Sequence, residues 1–258
     1  MARAVTQQDP NNADALSLLA NVAEARGRHD EAISEIARAI ALKPDHADFY
    51  WTRGTFESNA QHLEAAEASY RKALEIDPKN DHVLIALGQL YEGQQRWGDA
   101  EKVLERFVQV QPEAVQPRVE LAKLYLYQSR RDAAEQVLLQ AQRDMPDNGE
   151  VYRLLPEFYS SIGATQKALS TFETLHRQHP KDLKTAKEYA LLLFNMAQVN
   201  RANDINEQVL ASAPRDPDAL SLKGQIWTQQ GKTDAAIAML GGVVKDYPTN
   251  AAAHYALG

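Results

Sequence analysis

The 258-residue sequence contains no cysteine, few aromatic residues (7%) and no excess of positive charge. Without cysteine there are no disulfides, thiolate zinc sites or thiol nucleophiles, and the redox compartment stays open. No apolar stretch approaches the ~18 residues a membrane-crossing helix needs. The longest, Ala190 to Phe194, is far too short, which predicts no direct membrane insertion. The first residues, MARAVTQQDP, lack the apolar middle of a signal peptide. A net charge of −7 argues against a chain built to grip phosphate backbones, so no nucleic acid is expected as a partner. The compartment is not legible in these residues.

Catalytic signatures are missing as well. There is no G-x-S-x-G, no G-x-x-x-x-G-K-[ST], no G-x-G-x-x-G and no H-E-x-x-H. The histidine pair at ligand spacing, His176 and His179, has no nearby acids to complete a metal site. It reads as imidazoles favoured by a helix C-terminus. His29–Asp30 reads as an inter-helix turn. The expectation is a chain without catalysis, metal or cofactor.

What the sequence has is a period. Of eleven prolines, eight stand 34 residues apart: Pro10, Pro44, Pro78, Pro112, Pro146, Pro180, Pro214 and Pro248. A period of this length is the signature of a stacked repeat architecture. Seven full units follow, 13–46, 47–80, 81–114, 115–148, 149–182, 183–216 and 217–250, with partial units 1–12 and 251–258. Position 20 of every unit is alanine, from Ala32 to Ala236. Position 8 is small too: Ala20, Gly54, Gly88, Ala122, Pro156, Ala190 and Gly224. Two small positions twelve apart mean two helices that cross closely. Replacing Ala100 by Leu should overpack that crossing at a cost of ~1–3 kcal/mol. The prolines end each second helix, because the residue before proline disfavours αR.

In the third unit Leu84, Leu87, Gly88 and Tyr91 give L-x₂-L-G-x₂-Y, followed by Ala100, Leu104, Phe107 and Pro112. This resembles the tetratricopeptide repeat, whose motif has Trp where Leu84 stands. The resemblance covers nearly the whole chain. It implies an all-α fold, a right-handed α-solenoid (superhelix) of helix-turn-helix units with a 34-residue period. Each hairpin has apolar stripes that it cannot bury alone, so neighbours must stack. Both ends read as cut, and self-association end to end through the truncated terminal units is an expectation.

The resemblance also implies where a ligand lies. In this family, positions 2, 5, 9, 12 and 13 of the first helices face a concave groove that binds proteins or peptides. The apolar members here include Trp51, Ile85, Val119, Leu126, Tyr127, Leu191 and Phe194. Exposed apolar patches rimmed by polar groups mark interfaces. Gln89, Lys123, Arg153 and Lys187 complete the candidate set. All seven net negative charges sit in the first three units, whereas Lys123, Arg153, Lys184 and Lys187 make units four to six the basic part of the groove. An extended ligand would then lie with its acidic part toward unit six.

These residues imply a non-catalytic interaction scaffold for an extended peptide or helix. The carboxylate-clamp pattern of chaperone adaptors and the asparagine ladder of O-GlcNAc transferases are both missing. The alternative is a recruiting arm of a larger enzyme, or of a cell-envelope polysaccharide export assembly of the kind some long bacterial proteins of this type serve. Several residues break the repeat rule. Arg53 and Glu57 should pair across one helix face. Lys223 and Asn206 stand at apolar positions, and unit six lacks the turn glycine. Pro156 should kink its helix, and Gly241–Gly242 should let the last unit fray.

Overall fold

The computed structural model describes residues 11–257, and all its regular structure there is helical. The expectation for residues 1–12 falls largely outside that range. Each full unit forms one hairpin: α1 (Ala13–Glu24) with α2 (His29–Leu42), α3 (Ala47–Asn59) with α4 (Leu63–Ile76), and α5 (Asp81–Gly93) with α6 (Trp97–Val110). Then come α7 (Gln116–Tyr127) with α8 (Arg131–Asp144), α9 (Gly149–Ser161) with α10 (Thr165–Gln178), and α11 (Leu183–Asn195) with α12 (Val199–Ser212). The last are α13 (Pro217–Gln229) with α14 (Thr233–Asp246), followed by α15 (Ala251–Leu257). The helices gather in two compact units, Met1–Pro146 and Asp147–Gly258. The boundary falls at one of the in-phase prolines.

The repeat phase sets each helix end. Asn12, Asn80, Asn148, Asp182, Asp216 and Asn250, all at position 34, accept backbone N–H groups at the start of the following helix. Before each in-phase proline from Pro44 to Pro248 the chain leaves the helix, with φ from −124° at Asp77 to −135° at Ala213. Position 15 turns the hairpin with positive φ in every unit, at Gly27, Gly163 and Gly231, but also at Gln61, Gln95, Ser129 and Ala197. Missing turn glycine is therefore common to four units and not peculiar to the sixth. A side chain in this left-handed region costs ~1–2 kcal/mol, partly offset by the entropy glycine loses on folding. Each of Gln61→Gly, Gln95→Gly, Ser129→Gly and Ala197→Gly should raise stability by roughly 0.5–1 kcal/mol in urea unfolding.

The alanines at position 20 are all buried, and at Gly54, Gly88 and Gly224 position 8 faces position 24 across the crossing. A Cβ on Gly54 would lie 2.7 Å from the Tyr70 ring, and one on Gly88 would lie 3.3 Å from Leu104. Pro156 does not end its helix; α9 runs on to Ser161, with Pro156 itself buried. Only the hydrogen bond to the Tyr152 carbonyl is lost there. Nor do Gly241 and Gly242 interrupt α14, which continues to Asp246. Its inner face, Ala236, Leu240 and Val243, is buried, and that packing holds the helix together.

Neighbouring repeats of the N-terminal unit are also tied by a polar ladder. The Tyr91 hydroxyl donates to Glu67 (3.0 Å), and Arg96 reaches the same carboxylate (2.5 Å) while its guanidinium lies 4.4 Å over the Tyr91 ring. One period later Tyr125 and Arg130 hold Glu101 in the same way, at 2.8 Å each, with Arg130 over Tyr125 at 4.3 Å. Burial would raise Glu67, but the bonds from Arg96 and Tyr91 and the charges of Arg71 and Arg96 hold it below the usual carboxylate range. The Arg130 bond holds Glu101 down against its own burial. A carboxylate lowered on folding stabilises above its unfolded pKa, about 4.3 for Glu, and that contribution is lost as pH falls through the folded value. The double variant Glu67→Gln, Glu101→Gln should therefore flatten the loss of melting temperature between about pH 5 and pH 3. A loss as steep as in the parent would assign no role to the ladder.

Candidate functional site

Within each compact unit, first helices of successive repeats touch directly: α3 against α5, α11 against α13, and α13 against α15. Side chains at positions 2, 5 and 9 consequently gather on one surface. In the N-terminal unit this surface holds an open groove of about 400 Å³ lined by Trp51, Thr55, Ser58, His82, Ile85 and Gln89. Three of the sequence-derived residues, Trp51, Ile85 and Gln89, thus meet at one place. The Trp51 indole stacks on the His82 imidazole with centroids 5.4 Å apart, the indole half-buried and the imidazole exposed. A flat aromatic platform beside an aliphatic wall suits the side chains of an extended segment.

Val119, Lys123, Leu126 and Tyr127 all lie on α7, and Tyr127 is the most open of them at 75% exposure. Its ring does not point along the first helices. It leans on Trp97, 5.3 Å away, at the start of the preceding repeat's second helix. Tyr127 and Trp97 form an aromatic edge that position counting assigns to the groove and the core respectively.

The C-terminal unit uses position 5 differently. Arg153 donates to Asp182 (3.0 Å) and Lys187 to Asp216 (2.9 Å) and Asp218 (3.0 Å). Ser221 donates to Asn250 (3.1 Å). Asp182, Asp216 and Asn250 are the caps of the next helix, so position 5 straps each first helix to the following one. Lys123 is likewise paired with Glu120 at 3.0 Å, and Lys184 lies 3.6 Å from Glu157. The basic stretch expected from the sequence is therefore a set of ion pairs, not a free cationic surface. Arg153 and Lys187 find their carboxylates in the turn before the next first helix, which a count along first helices alone misses.

Beside these straps is a cavity of about 430 Å³, whose walls include Lys187, Glu188, Leu191, Asn206, Leu222 and Gln225. Leu191 is 46% exposed at its mouth, whereas Phe194 packs partly buried against the core of α11 and α13. Lys187 and Leu191 thus come together; Arg153 is held in its strap to Asp182, and Phe194 packs against the core. Burial, reinforced by the charge of Glu157, pushes the Glu188 carboxyl above its ordinary range.

The rule-breaking residues take defined partners. Arg53 Nε donates to buried Glu57 at 2.8 Å, as its spacing predicts, and Ser69 donates to the other oxygen. Lys223 pairs with Glu207 at 2.9 Å. Asn206 is fully buried; its Nδ2 donates to the Ala219 carbonyl (2.9 Å) while its Oδ1 has no partner. His179 stacks on Tyr152 and His176 lies beside Tyr189, so aromatic neighbours separate the two imidazoles. Among the described residues no group of three or more His, Asp or Glu side chains converges as metal ligands, and no helix is long and apolar enough to cross a membrane.

Stacked helical hairpins of fixed period, with a ligand-sized groove on their first-helix face, define the class of helical repeat proteins. The chain belongs to the tetratricopeptide repeat family. Family models match residues 1–51, 60–114, 93–155 and 163–226, with further matches over 32–81 and 218–250. A curated relative, Anaphase-promoting complex subunit 3 of Schizosaccharomyces pombe, is 22% identical over 237 residues, or 92% of this chain. The chain spans 30% of that relative's length. Among solved structures, yeast Tom70 superposes with a TM-score of 0.59 at 20% identity, covering 99% of this chain and 56% of that one. A tetratricopeptide repeat protein from Parabacteroides merdae ATCC 43184 gives 0.53 at 18% identity, over 95% of this chain and 97% of that one.

Proposed function

We propose that this chain is a non-catalytic protein-interaction scaffold that holds an extended peptide or a helix along its first-helix face. The observation that carries this reading is the Trp51–His82 platform with Ile85 and Gln89 around an open groove. In most repeats, residues at positions 5 and 9 are not part of the hairpin's apolar stripes, yet apolar surface is left there. Membership of a family of interaction scaffolds supports it, as does a relative that is named as a subunit of a complex. Within the C-terminal unit the ion pairs of Arg153 and Lys187 leave the first-helix surface charge-balanced.

The test is photo-crosslinking with p-benzoylphenylalanine placed at Gln89 or Ser58, both lining the groove, and at Lys102 on a second helix as control. Discrete crosslinked partners from the first two positions, lacking at the third, are expected. Crosslinking from Lys102 alone would move the interface to the second helices.

A further inference from the structure

Position 24 is normally apolar and large: Ile36, Tyr70, Leu104, Leu138, Phe172 and Leu240. In the sixth repeat it is Asn206, wholly buried, with an unpartnered Oδ1. A buried acceptor without a donor is destabilising, and the fourth repeat carries Leu138 at this position with Ala122 at position 8, the same pairing of residue types that Asn206→Leu would give with Ala190. Asn206 lines the 430 Å³ cavity of the C-terminal unit, and so does Glu188, whose Oε2 is a second buried oxygen without a partner. Both orphans are acceptors.

The cations already present do not serve them. Lys187 is committed to Asp216 and Asp218, while Lys184 stands at the rim, 3.6 Å from Glu157 and 3.9 Å from the other oxygen of Glu188. The remaining wall is mostly aliphatic, from Leu191, Ala219, Leu222 and Ala252, with the polar side chains of Gln225 and Asp218 beside them. Two acceptors, one of them anionic, above an aliphatic wall match a side chain with an apolar stem and a cationic nitrogen tip. A volume of about 430 Å³ lies within the usual range for ligand pockets.

We propose that this cavity is a pocket for a basic side chain, lysine or arginine, of the segment held on the first-helix face, with Glu188 and Asn206 accepting from its ammonium or guanidinium. The pocket rests on the scaffold reading above and gives it a chemical preference opposite to the acidic ligand suggested by the sequence. An acidic side chain would meet two orphan acceptors that cannot donate to it, while Lys187 is already held by Asp216 and Asp218.

The test is titration of the ¹⁵N-labelled full chain with N-acetyl-arginine methylamide, its lysine and norleucine counterparts, and N-acetyl-glutamate methylamide. The arginine or lysine probe should shift the amides around Leu191, Asn206, Leu222 and Ala252 saturably, with the norleucine and glutamate probes failing to saturate. Glu188→Gln should weaken binding by about tenfold or more. Asn206→Leu should abolish it while melting no lower than the parent, which separates lost recognition from lost folding. Equal binding of norleucine, preferential binding of glutamate, unchanged affinity in Asn206→Leu, or no saturable shift with any probe would overturn the pocket. None of these outcomes touches the crosslinking result at Gln89 and Ser58, so the wider reading stands or falls separately.

Discussion

Replacing Arg53 by Leu should lower the unfolding free energy by about 3 kcal/mol, and adding Glu57→Leu should restore most of it. The Glu57 side chain is 5% exposed, and its charge is compensated by Arg53 at 2.8 Å and by the Ser69 hydroxyl. Removing the arginine alone leaves a buried carboxylate without its counter-charge. Removing both returns positions 7 and 11 to apolar residues of the sort found at Leu87 and Leu121, or at Leu193. The remaining deficit is the Ser69 hydroxyl, which then lacks its acceptor, so a third change, Ser69→Ala, should recover about 1 kcal/mol more. Urea unfolding of the four proteins checks the series. A double variant less stable than Arg53→Leu would mean that the pair is a net stabilising element rather than a substitution tolerated within an apolar stripe.

The second expected effect sets one glycine against two others. Gly54→Ala should cost about 1–3 kcal/mol, because the new methyl would sit 2.7 Å from two atoms of the buried Tyr70 ring and 3.2 Å from the Ala66 carbonyl oxygen. A ring fixed in the core cannot turn aside as a flexible chain end can. Gly241→Ala and Gly242→Ala should each add about 1 kcal/mol, since both positions are mid-helix with nothing within 4 Å of the added atom. Thermal melts of the three variants distinguish the cases. A neutral Gly54→Ala would show that the first and second helices of this repeat separate more easily than their crossing implies.

The period of 34 makes the hairpins, their crossings and their ends legible in the residues alone. In-phase prolines and alanines report on backbone constraints that act within a few residues. The cap series from Asn12 to Asn250 is written in the same phase, one residue before each first helix, where the nearby proline is the stronger punctuation and masks it. The straps are not legible. Arg153 and Asp182 are 29 residues apart and meet only once the next hairpin has docked, and the same holds for Lys187 with Asp216. Tyr127 shows a further limit: position counting gives the face of a helix but not where a long side chain at its end will lie. Trp51, Ile85 and Gln89, in mid-helix, meet where counting puts them for the opposite reason.

The most direct measurement is calorimetric affinity for a partner identified by crosslinking, compared between the parent chain, Trp51→Ala with Ile85→Ala, and the second-helix control Glu64→Ala with Lys102→Ala. Aromatic anchors at an interface centre carry about 2 kcal/mol or more, so the groove variant should bind at least about thirtyfold more weakly while the control matches the parent. Equal affinity of the groove variant and the parent, or a loss confined to the control, would contradict a first-helix binding face.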